Sequence, residues 1–170
     1  MSKLSKRVWD NRLLTLHTKT RIYQACVLST LLYGSESWTT YMRQERRLNT
    51  FHMRCLRRLL GLKWQDKVPY SEILARTKVP SMFALLSQRR LRWLGHTHRM
   101  DMNRVPRNLL YGQLATGTRL LGRPMLRYRD VCKRDMISCD IDAGKWEKIA
   151  DDRTKGRSVV RSGMDVSESK

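Results

Sequence analysis

Apolar residues recur along most of this chain every three or four positions, the period of an amphipathic helix rather than of a strand. Thr18 or Thr20 can cap a first helix. Ile22, Tyr23, Cys26, Val27, Thr30 and Leu31 then share one face before Gly34, which predicts a helix over about 19–33. "SESWTT" reads as a turn and short connection. The signal is strongest over 43–60. Projected at ~100° per residue, Leu48, Phe51, Cys55, Leu56 and Leu59 fall on one arc. Arg43, Arg46, Arg54 and Arg57 fall opposite, with Arg47 and Arg58 on the flank, and Gly61 suits a C-terminal cap.

Further on, a short helix is expected over about 70–76 after Pro69, and a long one over about 81–100. On the long helix Leu86, Trp93, Leu94 and Met100 make an apolar arc, and Arg89, Arg92, His96 and Arg99 make a cationic row. Gly95 in mid-helix costs ~1 kcal/mol against alanine, which close approach of another backbone would justify. Shorter helices are expected near 105–114, from Pro124 to about Cys139 along a Met125, Tyr128, Cys132 and Met136 stripe, and over 145–152. "ATGTRLLGRP" reads as a glycine-punctuated loop, and "GRSVVRSGMDVSESK" has too few large apolar side chains to pack. The expected fold is all-α, a small helical bundle of about five to six helices with a disordered C-terminal tail. Its divisions are a basic lead-in over 1–17, a helical pair over 18–62, an arginine-rich helical region over 63–153 and the tail over 154–170.

Charge changes this picture most. Thirty-five Lys+Arg oppose 15 Asp+Glu, a net charge of +20 in 170 residues. A compact chain with that excess repels itself unless an anion shares its surface. Nucleic acid is the first candidate. A membrane surface is weaker, because these helices need their apolar faces for one another. The arginine rows are nearly one-signed and arginine forks onto phosphate, so nucleic-acid contact is expected at Arg43, Arg46, Arg54, Arg57, Arg89, Arg92, His96, Arg99, Arg123 and Arg127. Trp93, Leu48, Phe51 and Leu59 would form the supporting core. The hydrophobic share, 41%, argues against wholesale disorder.

Other chemistry fares less well. Cys26, Cys55, Cys132 and Cys139 have no C-x-x-C spacing, which disfavours a zinc finger and suits small buried hydrophobes in a reducing, intracellular compartment, nucleus or cytoplasm. The apolar run over 25–33 is too short to span a bilayer, and no signal peptide precedes Leu4, so secretion is not expected. His96 and His98 lie ~200° apart on a helix and cannot share a metal. His52 and Cys55 have ligand-like spacing, but Cys55 sits in the apolar stripe, so core packing is the better reading. Asp151-Asp152 in "KIADDRT" mimics the paired carboxylates of polymerase palms, yet lacks their apolar hairpin and reads as a solvated helix end. Gly122-Arg123-Pro124 matches the core of a minor-groove AT-hook, although Pro124 as a helix start explains it equally well. No metal or cofactor is expected.

The stretches "LSKRVWDNRLLTLHTKTRIYQACVLSTLLYGSESWT", "RRLNTFHMRCLRRLLGLKWQDKV", "RRLRWLGHTHRM" and "GRPMLRYRDVCKRDM" resemble, in order and spacing, the carboxy-terminal part of non-LTR (LINE-type) retrotransposon reverse transcriptases. The resemblance covers about 4–153. It implies a thumb-like helical pair over 18–62 and a helical region beyond it, both holding an RNA–DNA template-primer through its backbone. It also implies that fingers, palm and the carboxylates for catalytic Mg²⁺ are missing, so the chain alone is not expected to be an enzyme. After "DR" at 152–153 the sequence departs from the family's tryptophan-arginine pattern, and the Cys-His knuckle of some members is not visible.

Overall fold

The computed structural model describes residues 5–112 and 126–169. Among the described residues every regular element is helical: nine α-helices joined by short π and 3-10 turns. The all-α class stands, but the expected count of about five to six helices is too low. The first predicted helix is a composite, and the C-terminal stretch adds a helix of its own. The described residues form two compact units. One comprises the chain up to Tyr33 with Met42–Phe83, and the other comprises Gly34–Tyr41 with the chain from Ala84.

In the first unit, α1 (Leu16–Ile22) runs through a π-helical segment, Tyr23–Leu28, into α2 (Ser29–Leu31). Thr15 caps it, its hydroxyl accepting from the Thr18 N–H at 3.3 Å. α3 (Met42–Leu60) ends in a Schellman motif: Gly61 adopts φ 69° and the Leu62 N–H reaches the Arg57 carbonyl at 2.9 Å. α4 (Tyr70–Thr77) follows Pro69. The buried arc of α3 is rotated from the one expected. Glu45, His52, Met53, Cys55, Leu56 and Leu59 are inside, whereas Leu48 and Phe51 are half-buried.

The rotation has a polar cause. The Tyr23 hydroxyl lies 2.8 Å from His52 Nδ1, and His52 Nε2 lies 3.1 Å from the Pro80 carbonyl. A carbonyl only accepts, so Nε2 carries the proton and Nδ1 accepts from Tyr23. A face carrying a fully buried histidine with both ring nitrogens hydrogen-bonded turns inward, where a count of apolar residues alone would not place it. Burial lowers the His52 pKa to about 4, with the Pro80 bond opposing. Cys55 is packed and its thiol pKa is raised, chiefly by burial. Of the four cysteines Cys26 alone is exposed, contrary to the expectation that all four are buried: it falls on the outer side of the π segment.

The second unit contains most of α5 (Met82–His98), then α6 (Val105–Tyr111), α7 (Tyr128–Ser138), α8 (Trp146–Asp151) and α9 (Arg153–Ser169). Leu91, Leu94, Cys132, Met136, Trp146, Val160 and Met164 belong to its core. Trp93, expected in the core, is half-buried.

The disordered tail over 154–170 is overturned, since α9 occupies Arg153–Ser169. Its packed face is Gly156, Val160, Gly163 and Met164, a helical stripe in which glycine replaces large side chains. A Cβ on Gly163 would stand 2.8 Å from the Cys139 carbonyl oxygen and 2.9 Å from its Cβ. Asp152 starts the helix, its Oδ1 accepting from the Thr154 N–H at 2.8 Å.

Two outcomes follow from these packings. Gly163→Val should destabilise the second unit by about 1–3 kcal/mol through overpacking, read as a lower midpoint in thermal unfolding. Ser162→Ala, on the exposed side, should leave the midpoint in place, and parent-like melting of Gly163→Val would show that α9 does not pack on Cys139. For His52, the folded state refuses a proton that the unfolded chain accepts below about pH 6.5. Its stabilising contribution is therefore full above that pH and declines by roughly 3 kcal/mol as pH falls to about 4. His52→Gln should flatten the pH dependence of unfolding over that window. An unchanged slope would mean that His52 is not a buried neutral group.

Candidate nucleic-acid interface

The second unit organises its cations around one that is not on the surface. Arg90 on α5 is 1% exposed. Its Nε and Nη2 donate to the Asp135 carboxylate of α7 at 2.6 and 3.0 Å, and its Nη1 donates to Thr40 Oγ1 at 3.0 Å. The Tyr128 hydroxyl donates toward the Glu36 and Arg90 carbonyls at 2.8 and 3.2 Å, tying the 34–41 segment to the same place. Burial pushes the Asp135 carboxyl above its usual range, and the Arg90 hydrogen bonds pull the other way. The forked geometry supports an ionised pair.

With Arg90 held inside, Arg92, His96 and Arg99 project from the opposite face of α5, at ~200°, ~240° and ~180° from it. All three are exposed. They form one wall of a cleft of about 370 Å³, whose other wall is α9 with Arg153 and Arg157 and whose base includes Trp146 and Ala150 of α8. Among the described residues no carboxylate lines it. An adjoining groove takes in Arg92, Arg157 and Arg161.

Both helices carry glycine where they meet α8 at the base of the cleft. A Cβ on Gly95 would meet Arg99 Nη1 at 3.4 Å and Trp146 Cζ2 at 3.6 Å, and one on Gly156 would meet the Ile149 carbonyl at 3.4 Å. The neighbours of Gly95 are thus side chains, so close approach of another backbone is not what this glycine serves. Arg99 also donates to the Ala150 carbonyl near the end of α8. His98 faces away from His96 and holds the α8 end: its Nε2 lies 2.9 Å from Asp151 Oδ1, and its Nδ1 lies 2.7 Å from the Tyr111 hydroxyl. Asp151 is therefore engaged by His98, and Asp152 caps α9. Among the described residues no group of three or more His, Cys, Asp or Glu is placed to hold a metal.

The other expected contacts are dispersed. Arg89 is half-buried on the flank of α5. In the first unit Arg54, Arg57 and Arg58 border a separate cleft with Asp10 and Tyr70. Arg58 pairs with Asp10 at 3.1 Å. Arg57 is half-buried, lies 5.3 Å over the Tyr70 ring and donates to the Val68 carbonyl at 3.3 Å, so it has a structural role. Arg54 is exposed at that cleft. Arg43 and Arg46 are exposed nearer the start of α3 and do not border it. Arg127 is exposed just before α7, and its backbone N–H donates to Asp130 at 3.2 Å. Arg123 and the Gly122-Arg123-Pro124 stretch lie outside the described residues.

Arg90, Arg153, Arg157 and Arg161 were not among the expected site residues. The last three stand at successive four-residue steps, a cationic row as regular as the one on α5. It was hidden by reading the tail as disordered.

The chain is similar to a Caenorhabditis elegans protein described as an uncharacterized transposon-derived protein, with 25% identity over 150 residues. That match covers 84% of this chain and 54% of the relative, so the chain spans about half the relative's length. No protein-family model matches the chain, and no solved structure matches it. The similarity supports a transposon origin. Among the described residues no helix is long and apolar enough to cross a membrane.

The buried pair gives the site a sharp stability test. Asp135→Leu strands the Arg90 charge and should cost about 3–5 kcal/mol in chemical denaturation. Arg90→Met combined with Asp135→Leu should recover most of that loss, because the charge leaves with its partner. A double variant no more stable than the single one would refute the charge-pair account.

Proposed function

We propose that this chain is the nucleic-acid-holding part of a retrotransposon reverse transcriptase, gripping RNA and DNA through the backbone and carrying no polymerase centre of its own. One observation carries the reading: Arg92, Arg99, Arg153 and Arg157 line one concave surface with His96, and among the described residues no carboxylate lines it with them. Arginine on a concave wall forks onto phosphate oxygens, and clustering several of them raises the local concentration of a polyanion. The order and spacing of "LLYGSESW", "MRCLRRLLG" and "RRLRWLGH" and the transposon-derived relative support the same reading. The Asp151-Asp152 pair, the one carboxylate motif with a polymerase look, is occupied with His98 and with the α9 cap.

Binding to a short RNA–DNA hybrid should be largely independent of sequence and should fall steeply with salt. Four phosphate contacts correspond to a slope of about −3.6 in log K against log salt, using the duplex DNA coefficient. Arg92→Glu with Arg157→Glu should weaken binding more than about tenfold and make that slope shallower by about two, since each lost phosphate contact removes about one. The circular dichroism spectrum should not change. A flat salt response, or a double variant that binds like the parent, would refute the reading. Primer extension by the isolated chain should yield no product.

A further inference from the structure

We propose that the cleft between α5 and α9 seats one nucleotide of a single strand, its phosphate on the arginines and its base on His96. This rests on the nucleic-acid reading above and names the form of ligand that the cleft takes. Two observations point to a single strand. The cleft, about 370 Å³, has room for one nucleotide, whereas a duplex could only lie across its rim. At the lip, His96 is exposed and rests against Trp93, ring centroids 5.3 Å apart and planes inclined by 52°. Its exposed ring is available to an unstacked base. A duplex keeps its bases stacked on each other and offers none, whereas basic grooves with aromatic platforms suit single strands.

At the base, Trp146 is 4% exposed, and its indole Nε1 has no hydrogen-bond partner. That nitrogen is a donor only, and a buried donor without an acceptor is uncommon enough to require a reason. The indole edge beside it, at Cζ2, lies against Gly95, where the Arg99 guanidinium also sits. Trp146 lines the base of the cleft, so a phosphate oxygen seated there is a candidate acceptor for its indole N–H.

Fluorescence anisotropy with labelled oligodeoxythymidine, free and annealed to its complement, tests the proposal. His96→Ala should weaken single-strand binding about tenfold, the scale of one base–aromatic stack, and duplex binding less than about twofold. Trp146→Phe should weaken single-strand binding about threefold, the scale of one lost hydrogen bond. An abasic strand should bind the parent as poorly as oligodeoxythymidine binds His96→Ala. If Trp146→Phe does not fold, the exposed His96→Ala carries the test. Equal losses on single strand and duplex, or no loss on either, overturn the single-strand seat and leave nucleic-acid holding in place. Absence of binding to both ligands removes the holding reading itself. Phosphatidylglycerol vesicles competing as strongly per phosphate as the oligonucleotide would assign the cleft to lipid headgroups and overturn the proposal.

Discussion

A guanidinium with almost no exposure to water must have its charge answered nearby, and Arg90 has it answered by Asp135. That constraint fixes more than one contact. The fork between the two side chains admits a narrow range of geometries, so it sets the rotation of α5 about its own axis and its register against α7. The third guanidinium nitrogen takes Thr40, and the Arg90 carbonyl receives Tyr128. A short segment flanked in sequence by the first unit is thereby held in the second. A hydrophobic pair at this place could be as stabilising, but it would not distinguish one rotation of α5 from its neighbours. Directional bonds do. The outward face then follows: with Arg90 turned in, Arg92, His96 and Arg99 have to turn out.

The opposite wall depends on absence of side chain. α9 has little to bury by volume, and it packs because Gly156 and Gly163 let its backbone approach α8 and the end of α7. Van der Waals contact rises steeply as backbones close, so two glycines can anchor a helix that a count of large apolar residues would leave undocked. The same closeness brings Arg153 and Arg157 to the cleft instead of leaving them on a distant surface. Asp152 contributes by ending α8 and capping α9 within one residue, which makes the corner sharp.

How much of this was readable in the sequence depends on which physical signal each residue carries. Periodicity located α3, α4 and α5 well, and the Arg92, His96 and Arg99 row emerged where helical spacing put it. Periodicity cannot separate a buried arginine from an exposed one, so Arg90 passed as one more surface charge; its partner stands 45 positions later. The α3 face was misjudged by a fraction of a turn because His52 and Glu45 look polar, yet both are buried. Arg57 looked like a free phosphate ligand, but a ring and a carbonyl that engage it come from beyond the end of its own helix. α9 was lost because its stretch carries few large apolar side chains, whereas glycine acts there as a contact surface. Each miss involves a partner distant in sequence or a residue used against its average tendency.

The arginines thus divide by environment. Arg90 is neutralised in the interior, and Arg57 and Arg99 spend part of their hydrogen-bonding capacity on carbonyls of their own chain. Arg92, Arg153 and Arg157 face the cleft without a carboxylate. A surplus of +20 spread evenly would make a chain that repels itself and attracts polyanions weakly everywhere. Gathering charge on the two walls of one cleft concentrates the unfavourable field in one place, where a single anion relieves it most. Like-charge repulsion between α5 and α9 must be borne by the apolar contacts beneath them, among Leu91, Trp146, Ala150 and Val160. Occupation of the cleft by a polyanion would remove that repulsion, and would thereby couple ligand binding to the docking of α9 through the same few side chains.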